Sequence, residues 1–137
     1  MSVTAADPDL VYFLTAGKVN GDGGLYGIYK STDAGESFTF ECCGSGPVGT
    51  ATVSNPNILA WAEDGVEEGG QYYYDLAMGA SPTNASKVFA AGVNVWRSEN
   101  GGTSWTLNGH WVTWVGGLKH RYTHADVHDI KFFQNGA

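Results

Sequence analysis

Apolar and polar positions alternate along this chain in short runs, each stopped by glycine, proline, asparagine or aspartate. Ser2 to Ala5, Leu10 to Thr15, Leu25 to Lys30 and Phe38 to Cys42 read as four successive strands, with Asp7-Pro8-Asp9 as a turn. A second series follows: Tyr72 to Met78, Lys87 to Ala91, Val93 to Arg97 and Ser104 to Leu107, with a turn at Ser81-Pro82-Thr83-Asn84. His128 to Phe133, followed by Gln134-Asn135-Gly136, reads as the opening strand and turn of a third series. No segment carries the 3.6-residue spacing of an amphipathic helix. Short β-branched and aromatic runs between turn residues point to an all-β chain of antiparallel strands.

The two series share a repeated turn. Lys30-Ser31-Thr32-Asp33-Ala34-Gly35-Glu36-Ser37-Phe38-Thr39 returns as Arg97-Ser98-Glu99-Asn100-Gly101-Gly102-Thr103-Ser104-Trp105-Thr106. Asp33 and Asn100 can accept bonds from backbone N–H groups further along and close a tight turn. Gly35 and Gly102 tolerate positive φ. Ser31 and Ser98 offer hydroxyls to the same turn, and Phe38 and Trp105 can fold back into an apolar layer. The chemistry closes a hairpin and breaks no bonds. Ser31 and Ser98 lie 67 positions apart, more than one repeat of about 40–50 residues, so an insertion separates the units. Residues 44–70, rich in Gly, Pro, Asn and Glu, supply it, with Asn57-Ile58-Leu59-Ala60-Trp61 as their compact apolar run. The chain thus divides into a first unit (1–43), the insertion (44–70), a second unit (71–110) and a loop with a further first strand (111–137).

This repeat resembles the Asp-box, or BNR, repeat of sialidases, sortilin-type receptors, xyloglucan-degrading hydrolases and secreted bacterial propellers. The resemblance is closest to sortilin-like and glycosyl-hydrolase-like propellers of bacterial cell-surface proteins. It rests on Gly70-Gln71-Tyr72-Tyr73-Tyr74-Asp75-Leu76, Ser81-Pro82-Thr83-Asn84, Gly92-Val93-Asn94-Val95-Trp96-Arg97-Ser98 and His124-Ala125-Asp126-Val127-His128-Asp129. It implies β-propeller blades of four-stranded antiparallel sheets, here about two blades and the opening strand of a third. It implies a secreted or cell-surface location, with the signal outside this chain. The second turn departs from the pattern, since Glu99-Asn100 stands where Thr-Asp is usual. Asn100 can close the turn but brings no carboxylate.

Two units cannot close a ring, because closed propellers need at least about four blades. The expected partners are therefore the remaining blades of a longer chain, or copies of this one associating to complete a propeller. The chain carries 14 acidic and 7 basic residues, a net charge of −7. Its scattered basic residues argue against a nucleic-acid footprint, and no run has transmembrane length. The 18 aromatic residues suit sheet packing and leave room for sugar stacking, so a glycan is a further expected partner. Cys42 and Cys43 are adjacent. Neighbouring cysteines seldom bond to one another, so the expectation is partners elsewhere or buried thiols. Asn84-Ala85-Ser86 matches a glycosylation acceptor.

Chemistry concentrates in two places. His124, Asp126 and His128, preceded by His120, share one face if the segment is a strand. They suit zinc or another metal, a ligand-facing polar cluster, or structural hydrogen bonding; Tyr73 joins them as a ligand-facing residue. The second place is acidic: Glu63, Asp64, Glu67, Glu68 and Asp75. Residues 63–68 read as a solvated loop, with calcium as the metal that such a loop would hold. A glycoside hydrolase needs two carboxylates about 5–9.5 Å apart. Asp75, among Tyr72, Tyr73 and Tyr74, and Asp126 are the catalytic candidates. A sialidase would also need an arginine cluster, and only Arg97 and Arg121 are present. The expected function is a non-catalytic extracellular propeller segment acting as a scaffold or as a carbohydrate or protein interaction surface. The alternative is part of a glycoside hydrolase. No cofactor is expected, with calcium or zinc as the outside possibilities.

Overall fold

The computed structural model describes residues 1–17, 23–44, 51–115, 118–119 and 121–133. His120 and the turn expected at Gln134-Asn135-Gly136 lie outside these residues. The described chain is all-β, with no helix. Two four-stranded antiparallel meanders make the fold: β1 (Ser2–Thr4), β2 (Asp7–Ala16), β3 (Leu25–Ser31) and β4 (Thr39–Cys42), then β5 (Ala77–Ala80), β6 (Val88–Ala91), β7 (Val95–Ser98) and β8 (Thr106–Gly109). A two-stranded ribbon, β9 (Trp114–Val115) and β10 (Leu118–Lys119), follows. The sheets stack on each other and do not close into a ring.

Three expected elements fall differently. Asp7-Pro8-Asp9 belongs to β2, because the chain turns earlier, at Ala5-Ala6. Tyr72 to Asp75 forms a turn, with Tyr74 and Asp75 N–H groups donating to Gln71 O, so the strand starts only at Ala77. Residues 128–133 join no ladder. That segment runs over the second sheet, Ile130 and Phe132 covering Gly79 and Phe132 meeting Phe89 edge-on at 5.8 Å. No strand among the described residues follows to pair with it.

The repeated turns adopt the same bonding scheme. Ser31 Oγ donates to Asp33 Oδ1 at 2.6 Å and accepts from Gly35 N at 2.8 Å, while Ser37 N donates to Asp33 Oδ1 at 2.9 Å. Ser98 Oγ donates to Asn100 Oδ1 at 2.9 Å and accepts from Gly102 N at 2.9 Å, while Ser104 N donates to Asn100 Oδ1 at 3.0 Å. Ser37 Oγ donates to Asp33 Oδ2; in the other turn the polarity reverses, and Asn100 Nδ2 donates to Ser104 Oγ at 2.9 Å. Both turns pass through two left-handed residues, Ala34 (φ 58°) and Gly35 (φ 94°), then Gly101 (φ 70°) and Gly102 (φ 92°). The alanine accepts a conformation that its glycine counterpart takes without a Cβ penalty.

Register fixes how the units correspond. Val11 lies opposite Ser31 and Val88 opposite Ser98, so Tyr12 matches Phe89 and Phe13 matches Ala90. Likewise Tyr29 matches Trp96 and Phe38 matches Trp105. In the second sheet the face bearing Ala80, Ala90, Trp96 and Trp105 turns toward the first sheet and is buried. The first sheet meets it with its opposite face, bearing Tyr12, Leu14, Ile28 and Cys42. Packing is therefore head-to-tail: one face of a unit meets the other face of the next. Burying each large side chain at this seam contributes about 1.5–3 kcal/mol. Polar contacts fix the alignment, with Tyr12 OH donating to Ala85 O at 2.8 Å, Ala80 N to Ser2 Oγ at 2.9 Å and Thr4 Oγ1 to Ser81 O at 2.5 Å.

Cys42 and Cys43 are joined by a disulfide, contrary to expectation. The rule against neighbouring pairs assumes ordinary backbone. Here the chain leaves β4 at Cys42 and turns through Cys43 at φ 102°, with Gly44 following at φ 81°.

Two measurements test this architecture. Trp105 is 8% exposed and Phe38 is 40% exposed, so on dilute protein Trp105→Ala should cost about 3–5 kcal/mol and Phe38→Ala less than about 1 kcal/mol in chemical denaturation. The Ser31 and Ser37 hydroxyls and the Ser37 amide hold the Asp33 pKa down to about 2. A depressed carboxyl contributes stability above its unfolded value of about 3.9 and loses it as pH falls through about 2. Asp33→Asn, which copies the second turn, should keep the fold and flatten that part of the acid limb of a Tm-against-pH curve.

Candidate functional site

Loops from distant parts of the chain meet at the end of the sheets opposite the two serine turns. Two buried asparagines organise them. Asn57 Oδ1 accepts from Leu25 N at 2.8 Å, and its Nδ2 donates to Glu67 O and Gly69 O, each at 3.0 Å. Asn94 Nδ2 donates to Ala60 O and Trp61 O, each at 3.0 Å, while its Oδ1 accepts from Trp111 N at 3.2 Å. Between them Ile58 and Leu59 enter the core. Trp61 and Trp111, each 38% exposed, meet edge-to-face at 5.8 Å, and Trp111 Nε1 donates to Trp61 O. The apolar run at 57–61 was visible in the sequence. The role of its asparagine, and that of Asn94, was not, because an isolated asparagine looks the same whether it caps a loop or faces water.

Asp75 lies beneath this end. It is 0% exposed, and neither carboxylate oxygen has a hydrogen-bond partner among the described residues. Burial pushes its pKa up and the nearby Asp126 carboxylate adds to the rise; the Asp75 and Asp126 backbone amides, close by but outside hydrogen-bond geometry, and His128 offset only part of it. Leu59 and Asp75 both crowd Gly92, where a Cβ would lie 3.2 Å from Asp75 O. Val127 N donates to Gly92 O at 3.1 Å, tying the histidine segment to the same place.

The proposed cluster divides. His124 Nδ1 lies 4.0 Å from Asp126 Oδ2 and meets Ala125 O at 2.5 Å. His128 turns to Tyr74, ring centroids 4.9 Å apart. The segment is not a strand, and Asp126 sits at φ 73°, so alternate residues do not share one face. Among the described residues no three His, Cys, Asp or Glu side chains gather to hold a metal ion. Tyr73 is 79% exposed and rests its edge on Tyr72. In the acidic loop, Glu67 Oε1 accepts from Ala62 N and Asp64 Oδ1 from Val66 N, so these carboxylates brace their own turns. Of the acidic candidates, Asp75 lies near Asp126, one closed off and one partly open.

The fold defines an all-β protein of two stacked antiparallel meanders, joined by a loop cluster at one end. The chain matches no protein-family model, no curated protein and no solved structure. No helix among the described residues is long and apolar enough to cross a membrane.

Burying Asp75 has a measurable cost. With its folded pKa raised, the fold gains nothing from the carboxyl below about pH 3.9, where the unfolded chain is protonated too. As pH rises above that, the unfolded state ionises first and stability falls until Asp75 itself ionises. Asp75→Asn should therefore make the protein more stable than the wild type at neutral pH, and the difference should shrink as pH falls below about 4 in thermal melts.

Proposed function

We propose that this chain is a non-catalytic segment of a β-propeller of the Asp-box type, serving as a scaffold whose loop end is a carbohydrate or protein interaction surface. The observation that carries this reading is the head-to-tail stacking of two four-stranded units that share one turn scheme. Head-to-tail stacking of this kind can be extended by further units, and it closes into a ring where the rotation between units allows. The partly exposed Trp61 and Trp111, held by Asn94, give the loop end flat apolar surface of the kind sugar rings cover. The Cys42–Cys43 disulfide supports an oxidising, extracellular or cell-surface compartment.

One observation favours a second role. Asp75, buried with a raised pKa beside Asp126, has the character of the acid partner in a glycosidase carboxyl pair. Its closure from solvent weighs against catalysis in this arrangement.

Affinity electrophoresis in gels containing soluble polysaccharides, with a reducing-end assay alongside, separates the two. The scaffold role predicts retardation that Trp61→Ala and Trp111→Ala each weaken about tenfold, with no release of reducing ends. Release of reducing ends that Asp75→Asn abolishes would establish the hydrolase instead. The absence of both would leave protein partners as the scaffold's remaining ligand class.

A further inference from the structure

The turn between β5 and β6 carries chemistry that neither the seam nor the loop end uses. Asn84-Ala85-Ser86, at its tip, is the single Asn-x-Ser/Thr sequence in the chain. Asn84 and Ser86 are both exposed. The turn lies at the end of the sheets that holds the serine turns, and Gly101 of the second serine turn donates its N–H to Ser86 O at 2.8 Å.

The amide of Asn84 is spare. Its Oδ1 accepts from Ser86 N at 3.0 Å, and no described residue accepts from its Nδ2. Other asparagines commit that nitrogen to the fold: Asn55 donates to Gly44 O, Asn57 to Glu67 O and Gly69 O, Asn94 to Ala60 O and Trp61 O, and Asn100 to Ser104 Oγ. Ser86 Oγ also has no partner among the described residues, whereas the hydroxyls of Ser31 and Ser98 each hold a turn.

The main chain keeps this turn in shape without those two groups. Lys87 N donates to Asn84 O at 3.0 Å, and Ser81 N donates to Lys87 O at 2.9 Å. Tyr12 OH donates to Ala85 O at 2.8 Å. The carbonyls of Asn84, Ala85 and Ser86 are therefore all held, while Nδ2 and Oγ face water. A group attached to Asn84 Nδ2 displaces no contact on which the sheets depend.

We propose that Asn84 is a site of N-linked glycosylation. This rests on the extracellular reading above, because the donor, an oligosaccharide on a lipid pyrophosphate, and its transferase belong to secretory compartments. In the transfer, Nδ2 attacks C1 of the donor sugar and the C1–O bond to pyrophosphate breaks. The lipid pyrophosphate leaves with the bonding electron pair, and one Nδ2 proton passes to a carboxylate of the transferase. Ser86 supplies the hydroxyl that the acceptor sequence requires two positions beyond the asparagine. The product is still an amide, so Oδ1 keeps its bond from Ser86 N. The attached oligosaccharide is bulky and hydrated. It covers the serine-turn end of the sheets and leaves Trp61 and Trp111, at the opposite end, open to a partner.

Expressing the full chain behind an added secretion signal in eukaryotic cells tests the proposal. The secreted protein should run as a glycoform that an amidase specific for N-linked glycans collapses to the unmodified size. Peptide mass spectrometry should map the Asn-to-Asp conversion left by that amidase to Asn84. Asn84→Gln and Ser86→Ala should each abolish the glycoform, and Ser86→Thr should keep it. Ser86→Ala leaves Asn84 and the bonds of the turn in place, so loss of the glycan with an unchanged Tm reports acceptor chemistry rather than misfolding. A secreted, folded chain with no glycan on Asn84 overturns the proposal, as does a glycoform that persists in Asn84→Gln. The added signal supplies the compartment, so neither result turns on the extracellular reading, which protease accessibility of the chain on intact source cells tests separately.

Discussion

One seam holds this protein together, the contact between the Tyr12, Leu14 and Ile28 face of the first sheet and the Trp96 and Trp105 face of the second. Neither sheet has enough apolar surface to stand alone, since an isolated meander leaves a hydrophobic face in water. The seam is asymmetric, and that asymmetry sets most of what surrounds it. It leaves the Phe13 and Phe38 face of the first sheet partly exposed, while residues 128–133 run over the far face of the second. It also explains why corresponding residues have unlike environments: Trp105 is buried and Phe38 exposed because each unit sees a different neighbour.

The serine turns set the strand geometry on which the seam depends. In each, a buried hydroxyl and one side-chain oxygen satisfy backbone N–H groups that the reversal would otherwise strand. The exchange of Asp33 for Asn100 keeps that acceptor and changes only the bond to the following serine. The loop end follows a similar rule. Asn57 and Asn94, both fully enclosed, bond backbone groups of residues that lie far away in sequence.

Much of the fold could be read from the chain because its signals are local. Period-two runs and turn residues located both meanders, and the repeated turn paired them. Strand starts were harder to place: Tyr72 to Asp75 has strand-like aromatics, yet backbone bonds to Gln71 curl it into a turn. The disulfide ran against a general rule that positive φ at Cys43 sets aside. The site was legible only in part. Asp75 and Asp126 were marked by type, but their approach depends on Gly92 holding Val127, a contact between residues distant in sequence. The histidines failed to converge for the same kind of reason, because Asp126 breaks the alternation on which a shared face relies.

The loop that carries Asn57 has a consequence for how the chain reaches this state. Each meander closes through contacts between near neighbours in sequence, which form quickly because little chain entropy is lost in bringing them together. Residues 57–61 bond to the start of β3 on one side and to the bend before β7 on the other. That docking has no complete partner until both meanders exist. The stretch between the units therefore couples the two meanders, because its bonds are complete only when both sheets are in place.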